Sequence, residues 1–204
     1  MRAGPCDKLL GAKKGDAGAL LLWIAAALCA VLIGVTVLNS VFSLCMVVGG
    51  SMLPGLHDEQ FVLLYNRFEP ERGDIVVFYS DELGEDVIKR VVAVGGDTVE
   101  LRYDGEGYLD LYVNDGRVEE DYINERMTGA YIGEDTALLP GREIVVEEGK
   151  YFVLGDNRNH STDSRSALIG QVSREDMVGE LAAVLSKDNI TEFFVRLLMG
   201  GFKA

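Results

Sequence analysis

DIVVFYSDELGEDVIKRVVAVGGD, residues 74–97, decides the fold class. Two runs of β-branched and aromatic residues, 74–80 and 86–94, are separated by a polar segment carrying Gly84. Such side chains fit a pleated, half-buried surface, and the polar segment reads as a turn between strands. Upstream, EPERGD at 69–74 is a tight turn into the first run. Further out, VFSLCMVV (41–48) and FVLLYNRF (61–68) read as strands. TVELRYD (98–104) and LDLYVND (109–115) flank Gly105 and Gly107 as a hairpin. EIVVEE (143–148) and YFVLGD (151–156), joined by Gly149 and Lys150, read as another. GELAAVLS, 179–186, is too short for its period to separate strand from helix. Many short strands with frequent glycine turns predict an all-β, mostly antiparallel domain.

The N-terminal part is different. No Asp, Glu, Lys or Arg occurs from Ala17 to His57. Within that run, residues 19–38 (ALLLWIAAALCAVLIGVTVL) are almost purely apolar. A helix of that length spans roughly 30 Å, the hydrocarbon thickness of a bilayer. It is long for a buried soluble helix, and a cleaved secretory signal has an apolar region of only about 7–15 residues. The reading is an uncleaved anchor. Arg2, Lys8, Lys13 and Lys14 precede it, against Asp7 and Asp16. The positive-inside rule predicts a cytoplasmic tail (1–18), a transmembrane anchor (19–38) and an extracytoplasmic remainder. Residues 190–202, ITEFFVRLLMGGF, are apolar but too short to span. The C-terminal segment 190–204 therefore reads either as membrane-interfacial or as a cap on the core.

The formal charge is −14, and the residues after 38 hold 15 basic against 31 acidic side chains, or −16. An exported domain this acidic is a poor partner for nucleic acid or anionic headgroups. Attachment to membrane lipid must then be apolar. Cys6, Cys29 and Cys45 fall in three different compartments on this topology, so no internal disulfide is expected. Their spacing fits no metal site.

Ser51 lies in VGGSMLPGL, residues 48–56, on a small-residue approach and ahead of Pro54. A serine hydroxyl attacks only when a base removes its proton. The two histidines, His57 and His160, lie in polar surroundings that read as solvated. Lys89 is flanked by Val87, Ile88, Val91 and Val92. Burial penalises an ammonium and lowers its pKa, so that a neutral amine can act as base. From pattern alone the favoured reading is an edge strand whose Lys89 and Arg90 heads both reach solvent.

These stretches carry a resemblance. VGGSMLPGL resembles the nucleophile box of the type I signal peptidases, membrane-bound Ser/Lys proteases of exported preproteins, here in their Gram-positive form. RGDIVVF (72–78) resembles their next box, IKRVVAVGGD (88–97) the lysine box, and GDNRNHSTDSR (155–165) the late box. All four occur in the family's order behind one N-terminal anchor.

The resemblance implies Ser51 as acyl-forming nucleophile and Lys89 as base. It implies that the Ser161 hydroxyl orients the lysine amine and that the Ser51 N–H serves the oxyanion hole. Arg90 would pair with Asp156, and Asp163 with Arg165. Gly49 stands where some members assist the hole with a serine hydroxyl, and Gly55 replaces the usual threonine. The catalytic β core would comprise 39–97 and 151–189, with 98–150 a small β insertion. The implied substrates are signal peptides cut after Ala-x-Ala sites, without metal or cofactor, close to the membrane and in possible contact with the secretion translocon. Cys45, Val47, Leu56, Val62 and Ile88 would form the substrate pockets. The alternative is a non-catalytic or substrate-dedicated factor in pilus or surface-protein assembly. Degenerate forms of that kind lose the Ser or the Lys, and both are present here. A Ser/His relative places histidine where this chain has Lys89.

Overall fold

The structure is a computed structural model that describes residues 15–129 and 136–185. The chain divides into two compact units, residues 1–41 and 42–204. The first contains one described element, helix α1 (Gly15–Val41). Its Gly18–Val41 part has a mean hydropathy of 2.7, long and apolar enough to cross a membrane. Side chains from Gly18 to Ser40 are all exposed, and nothing marks one face as a core face. The Thr36 and Ser40 hydroxyls donate back to the Leu32 and Val37 carbonyls, so neither needs water. The charged stretch before the helix and the segment 190–204 lie outside the described residues.

The second unit holds twelve described strands: β1 (Phe42–Met46), β2 (Phe61–Tyr65), β3 (Ile75–Ser80), β4 (Glu85–Val94), β5 (Thr98–Tyr103), β6 (Tyr108–Val113), β7 (Gly116–Arg117), β8 (Met127–Thr128), β9 (Glu143–Val145), β10 (Lys150–Leu154), β11 (Val172–Ser173) and β12 (Met177–Leu185). A seven-stranded sheet runs β1-β2-β12-β3-β4-β10-β11. A five-stranded sheet runs β7-β6-β5-β9, with β8 also on β6. Every pairing is antiparallel. Of the ambiguous 179–186 stretch, residues 179–185 belong to strand β12, which pairs with both β2 and β3.

The two sheets share a core. Val92 and Ala93 of β4 and Phe152 and Leu154 of β10 pack with Val99, Leu101, Leu109, Leu111 and Val113 of the smaller sheet. A second cluster gathers Val76, Phe78, Val91, Tyr151 and Val153. A third joins Val47, Met52, Leu56, Val62, Leu64 and Val77, and so seats the Ser51 loop on the large sheet. Fully burying one such side chain stabilises by about 1.5–3 kcal/mol.

Two sequence expectations fail. β9 and β10 do not form a hairpin: β9 pairs with β5 in the small sheet, and β10 with β4 and β11 in the large one. Gly149 and Lys150 instead turn the chain from one sheet to the other, with Lys150 N–H on the Glu147 carbonyl at 3.0 Å. Cross-strand partners such as Val99 and Ile144 outweigh the local turn signal. Nor is β4 an edge strand. It lies between β3 and β10, with Lys89 buried and Arg90 only partly exposed, so neither head stands out in solvent.

Candidate active site

The pairing of β4 is uneven along its length. β3 covers it from Glu85 to Arg90, but β10 covers it only from Arg90 to Val94. One edge of β4 from Glu85 to Lys89 therefore carries no strand among the described residues, and β1 is an edge strand of the same sheet. An open cleft of about 620 Å³ is lined by residues 45–51 and 85–89, with Val62 and Val77 among its apolar lining and Leu83, His160 and Thr162 also bordering it.

Ser51 and Lys89 meet in this cleft. Lys89 Nζ lies 2.9 Å from Ser51 Oγ and donates to the Ile88 carbonyl at 2.8 Å. Lys89 is only 4% exposed, on the strand face it shares with Val87 and Val91. Burial lowers its pKa from 10.5 to about 8, while the Asp163, Glu85 and Asp156 charges pull it back up. Just below pH 8 a sizeable fraction of this amine is already neutral. A lone pair 2.9 Å from a hydroxyl can take its proton.

The stretch 155–165 packs beneath the serine loop. Asn157 N–H donates to the Ser51 carbonyl at 2.9 Å, and Asn157 Nδ2 to the Gly50 carbonyl at 2.9 Å. Gly155 passes so close that an added Cβ would lie 2.5 Å from the Ser161 Cβ and 2.6 Å from the Ser51 carbonyl oxygen. No side chain fits there without moving the serine loop.

Asp156 receives Arg90 bidentately, at 2.8 and 2.6 Å, and Arg90 also donates to the Gly73 carbonyl at 2.7 Å. Asp163 binds Arg165 the same way, at 2.8 and 2.7 Å, and accepts the Gly155 N–H at 3.0 Å. Burial alone would raise the Asp163 carboxyl, but the Arg165 guanidinium and the Gly155 N–H bring it below its usual value. The second cation beside Lys89 is thus neutralised by a paired carboxylate.

Of the residues the sequence singled out, Ser51, Lys89, Cys45, Val47, Val62 and Ile88 line the cleft. Leu56 does not. It is 1% exposed and packs in the core cluster below the serine loop, because the loop turns it inward with Met52. Ser161 is buried, but its Oγ makes no hydrogen bond to Lys89. It leans toward Asp163 and helps keep that carboxylate ionised, without hydrogen-bond geometry. His160 is exposed on the cleft wall and His57 lies outside it; neither bonds Ser51. Gly49 has φ +86, a conformation that disfavours any L side chain, and its N–H donates to Asp58 at 2.8 Å. Gly55 is not required by space: a Cβ there would meet Asp156 Oδ2 at 3.5 Å, an ordinary contact.

Asn157 and Arg158 were spelled out in the 155–165 stretch but given no role. Arg158 is fully buried and holds Glu120 with two hydrogen bonds, one of 2.8 Å. Tyr122 stacks under Arg90, 4.2 Å from its ring centroid to the guanidinium, and donates its hydroxyl to Glu120 at 3.0 Å. Burial, then the Glu120 charge, pushes that phenol up to about 12. The carboxylates of Glu100, Asp115 and Glu143 cluster closely enough to hold a metal ion, but Arg102 already engages the first two.

The family model described as "Signal peptidase, peptidase S26" matches residues 20–186, which include every residue of this cleft. The chain belongs to that family. Signal peptidase I of Bacillus licheniformis is 34% identical over 164 residues, 78% of this chain and 85% of its own. Signal peptidase IB of Staphylococcus aureus is 34% identical over 146 residues, 66% of this chain and 72% of its own. A crystal structure of a signal peptidase I from Enterococcus faecalis, 36% identical, covers 56% of this chain and 98% of its own at a TM-score of 0.43. Family membership makes the protein a serine endopeptidase.

Proposed function

We propose that this protein removes signal peptides from exported preproteins, with Ser51 as nucleophile and Lys89 as general base. The observation that carries the reading is the 2.9 Å approach of a buried lysine amine to the serine hydroxyl in an open cleft. Neutral Lys89 takes the Ser51 proton as Oγ attacks the scissile carbonyl carbon. The proton passes to the leaving amine, the C–N bond breaks, and the acyl group stays on Ser51 as an ester. Lys89 then takes a proton from water, whose oxygen attacks the ester. The acyl C–O bond to Ser51 breaks, Lys89 returns the proton to Ser51 Oγ, and the product acid leaves as its carboxylate with its own proton passing to solvent. No metal or cofactor is needed for either half.

An extended substrate suits the two bare strand edges. A peptide laid between β1 and the Glu85–Lys89 stretch of β4 can pair with backbone on both sides. Alternate side chains then face Cys45, Val47, Val62, Val77 and Ile88, which leave room for small groups and favour Ala-x-Ala sites. The apolar α1 serves as a single-pass anchor in membrane lipid, with the N-terminus cytoplasmic and the β domain outside, where a preprotein leaving the translocon is met. The test is cleavage of an Ala-x-Ala preprotein by the full chain in detergent. Lys89→Ala should abolish cleavage and His160→Ala should not; wild-type activity in Lys89→Ala would overturn the assignment.

A further inference from the structure

We infer that Asn157 is a positioning residue that aims the oxyanion donor of Ser51, an inference that rests on the Ser51/Lys89 reading. In a trans peptide the C=O and N–H point to opposite sides, so fixing one fixes the other. The peptide that carries the Ser51 N–H is the same unit that carries the Gly50 carbonyl. Asn157 Nδ2 donates to that carbonyl at 2.9 Å. The next peptide is held from the same residue, by Asn157 N–H on the Ser51 carbonyl at 2.9 Å. Both planes flanking the nucleophile are thereby tied to one buried residue, 6% exposed.

The side on which Asn157 stands decides where the N–H points. Gly50 and Ser51 line the cleft and Asn157 does not, so the carbonyls turn away from the cleft and the Ser51 N–H turns toward it. That N–H donates to no other atom among the described residues, which leaves it free for a developing oxyanion. The amide orientation of Asn157 is dictated as well. A carbonyl accepts only from the NH₂ end, and Asn157 Oδ1 is the end left without a partner.

This clamp supplies what Gly49 lacks. With glycine at that position and φ +86, no side-chain hydroxyl is available to the hole, and a backbone donor must be held rigidly instead. The scaffold behind Asn157 is stiff. Asp156 on one side is paired with Arg90, and Arg158 on the other is paired with Glu120. A preorganised donor acts on the tetrahedral state far more than on bound substrate.

The test uses full-length enzyme in detergent micelles with a signal-peptide substrate and a peptide aldehyde of the same sequence. In the aldehyde adduct Ser51 Oγ bonds the carbonyl carbon, the π electrons move to oxygen, and the hydroxyl proton passes to Lys89. Asn157→Ala and the isosteric Asn157→Asp both remove the Nδ2 donor and keep the backbone N–H. Each should lower kcat roughly ten- to hundredfold and weaken aldehyde binding by a similar factor, with KM within about twofold of wild type. The Asn157→Ala pH profile should keep the wild-type midpoint. Unchanged kcat and aldehyde affinity, or a loss confined to KM, would overturn the inference. A wild-type measurement stands beside the variants in case they misfold. With ¹⁵N-serine label, the Ser51 amide proton should move downfield on aldehyde binding, and an unmoved resonance contradicts a role as donor. Failure of wild type to form the adduct at all would instead sink the Ser51/Lys89 reading.

Discussion

The two sheets treat charge in opposite ways. On the five-stranded sheet, Arg117 faces Asp110 and Glu119, and Arg126 faces Asp104 and Glu106, with both arginines about half exposed. Around the cleft of the seven-stranded sheet, the carboxylates of Asp156 and Asp163 are each 1% exposed. Arg158 is fully buried. Among those paired ions sits Lys89, whose nearest polar contacts are a hydroxyl and a carbonyl. Exposed pairs are screened by water and add little. Buried pairs are costly to separate, and they fix geometry where a catalytic amine has to be held without a counter-ion.

The largest expected effect comes from removing the exception. Lys89→Met should cut cleavage by roughly 10³-fold or more, since no other base touches Ser51 among the described residues. The same variant should unfold at higher temperature at pH 7, because burial of the ammonium is what lowers its pKa to about 8. A lower melting temperature would show that Lys89 stabilises the fold. The pH dependence follows in sign. Cleavage at limiting substrate should rise with pH below about 8 and level off above it, as the amine becomes neutral. Between about 8 and 10.5 the unfolded chain binds a proton at this lysine that the folded chain does not. The Lys89 contribution to stability therefore rises with pH across that window and is least favourable below it.

Breaking a buried pair comes next. Arg165→Met strands the Asp163 carboxylate and should cost about 3–5 kcal/mol in denaturant unfolding, with cleavage falling as well. Gly155→Ala should lose cleavage at nearly native KM, because its methyl displaces the Ser51 carbonyl and the Ser161 side chain. Kinetics like wild type would show that the serine loop has slack. Gly55→Ala meets only ordinary contacts and should stabilise by about 0.4–1 kcal/mol through the unfolded chain. Smallest of all, Arg117→Gln on the exposed sheet should leave both melting temperature and turnover unchanged.

This contrast also bounds what the sequence could disclose. Strands β3 to β6 were legible because period-2 alternation and glycine turns are local signals. The long apolar helix α1 was legible from length and composition alone. The β9–β10 hairpin was misread because Gly149 and Lys150 give a turn, while the choice of sheet depends on pairing with distant strands. Ser51 and Lys89 lie 38 residues apart, and the 155–165 stretch reaches back 107 residues to Gly50. No local pattern encodes such distances: resemblance supplied Lys89 as the partner of Ser51, and nothing supplied the contact of Asn157 with Gly50. Tyr122 and Glu120 had no signal of either kind, and Leu56 was taken for a pocket residue because burial beneath a loop looks the same in sequence as lining a cleft.

The central claim is that Lys89 is a buried amine available in neutral form at working pH. Its most direct test is the ¹⁵Nζ titration of Lys89 in the full-length wild-type enzyme, assigned by comparison with Lys89→Met. The account predicts a midpoint near 8, matching the rise in cleavage. A midpoint near 10.5, the ordinary lysine value, would contradict it.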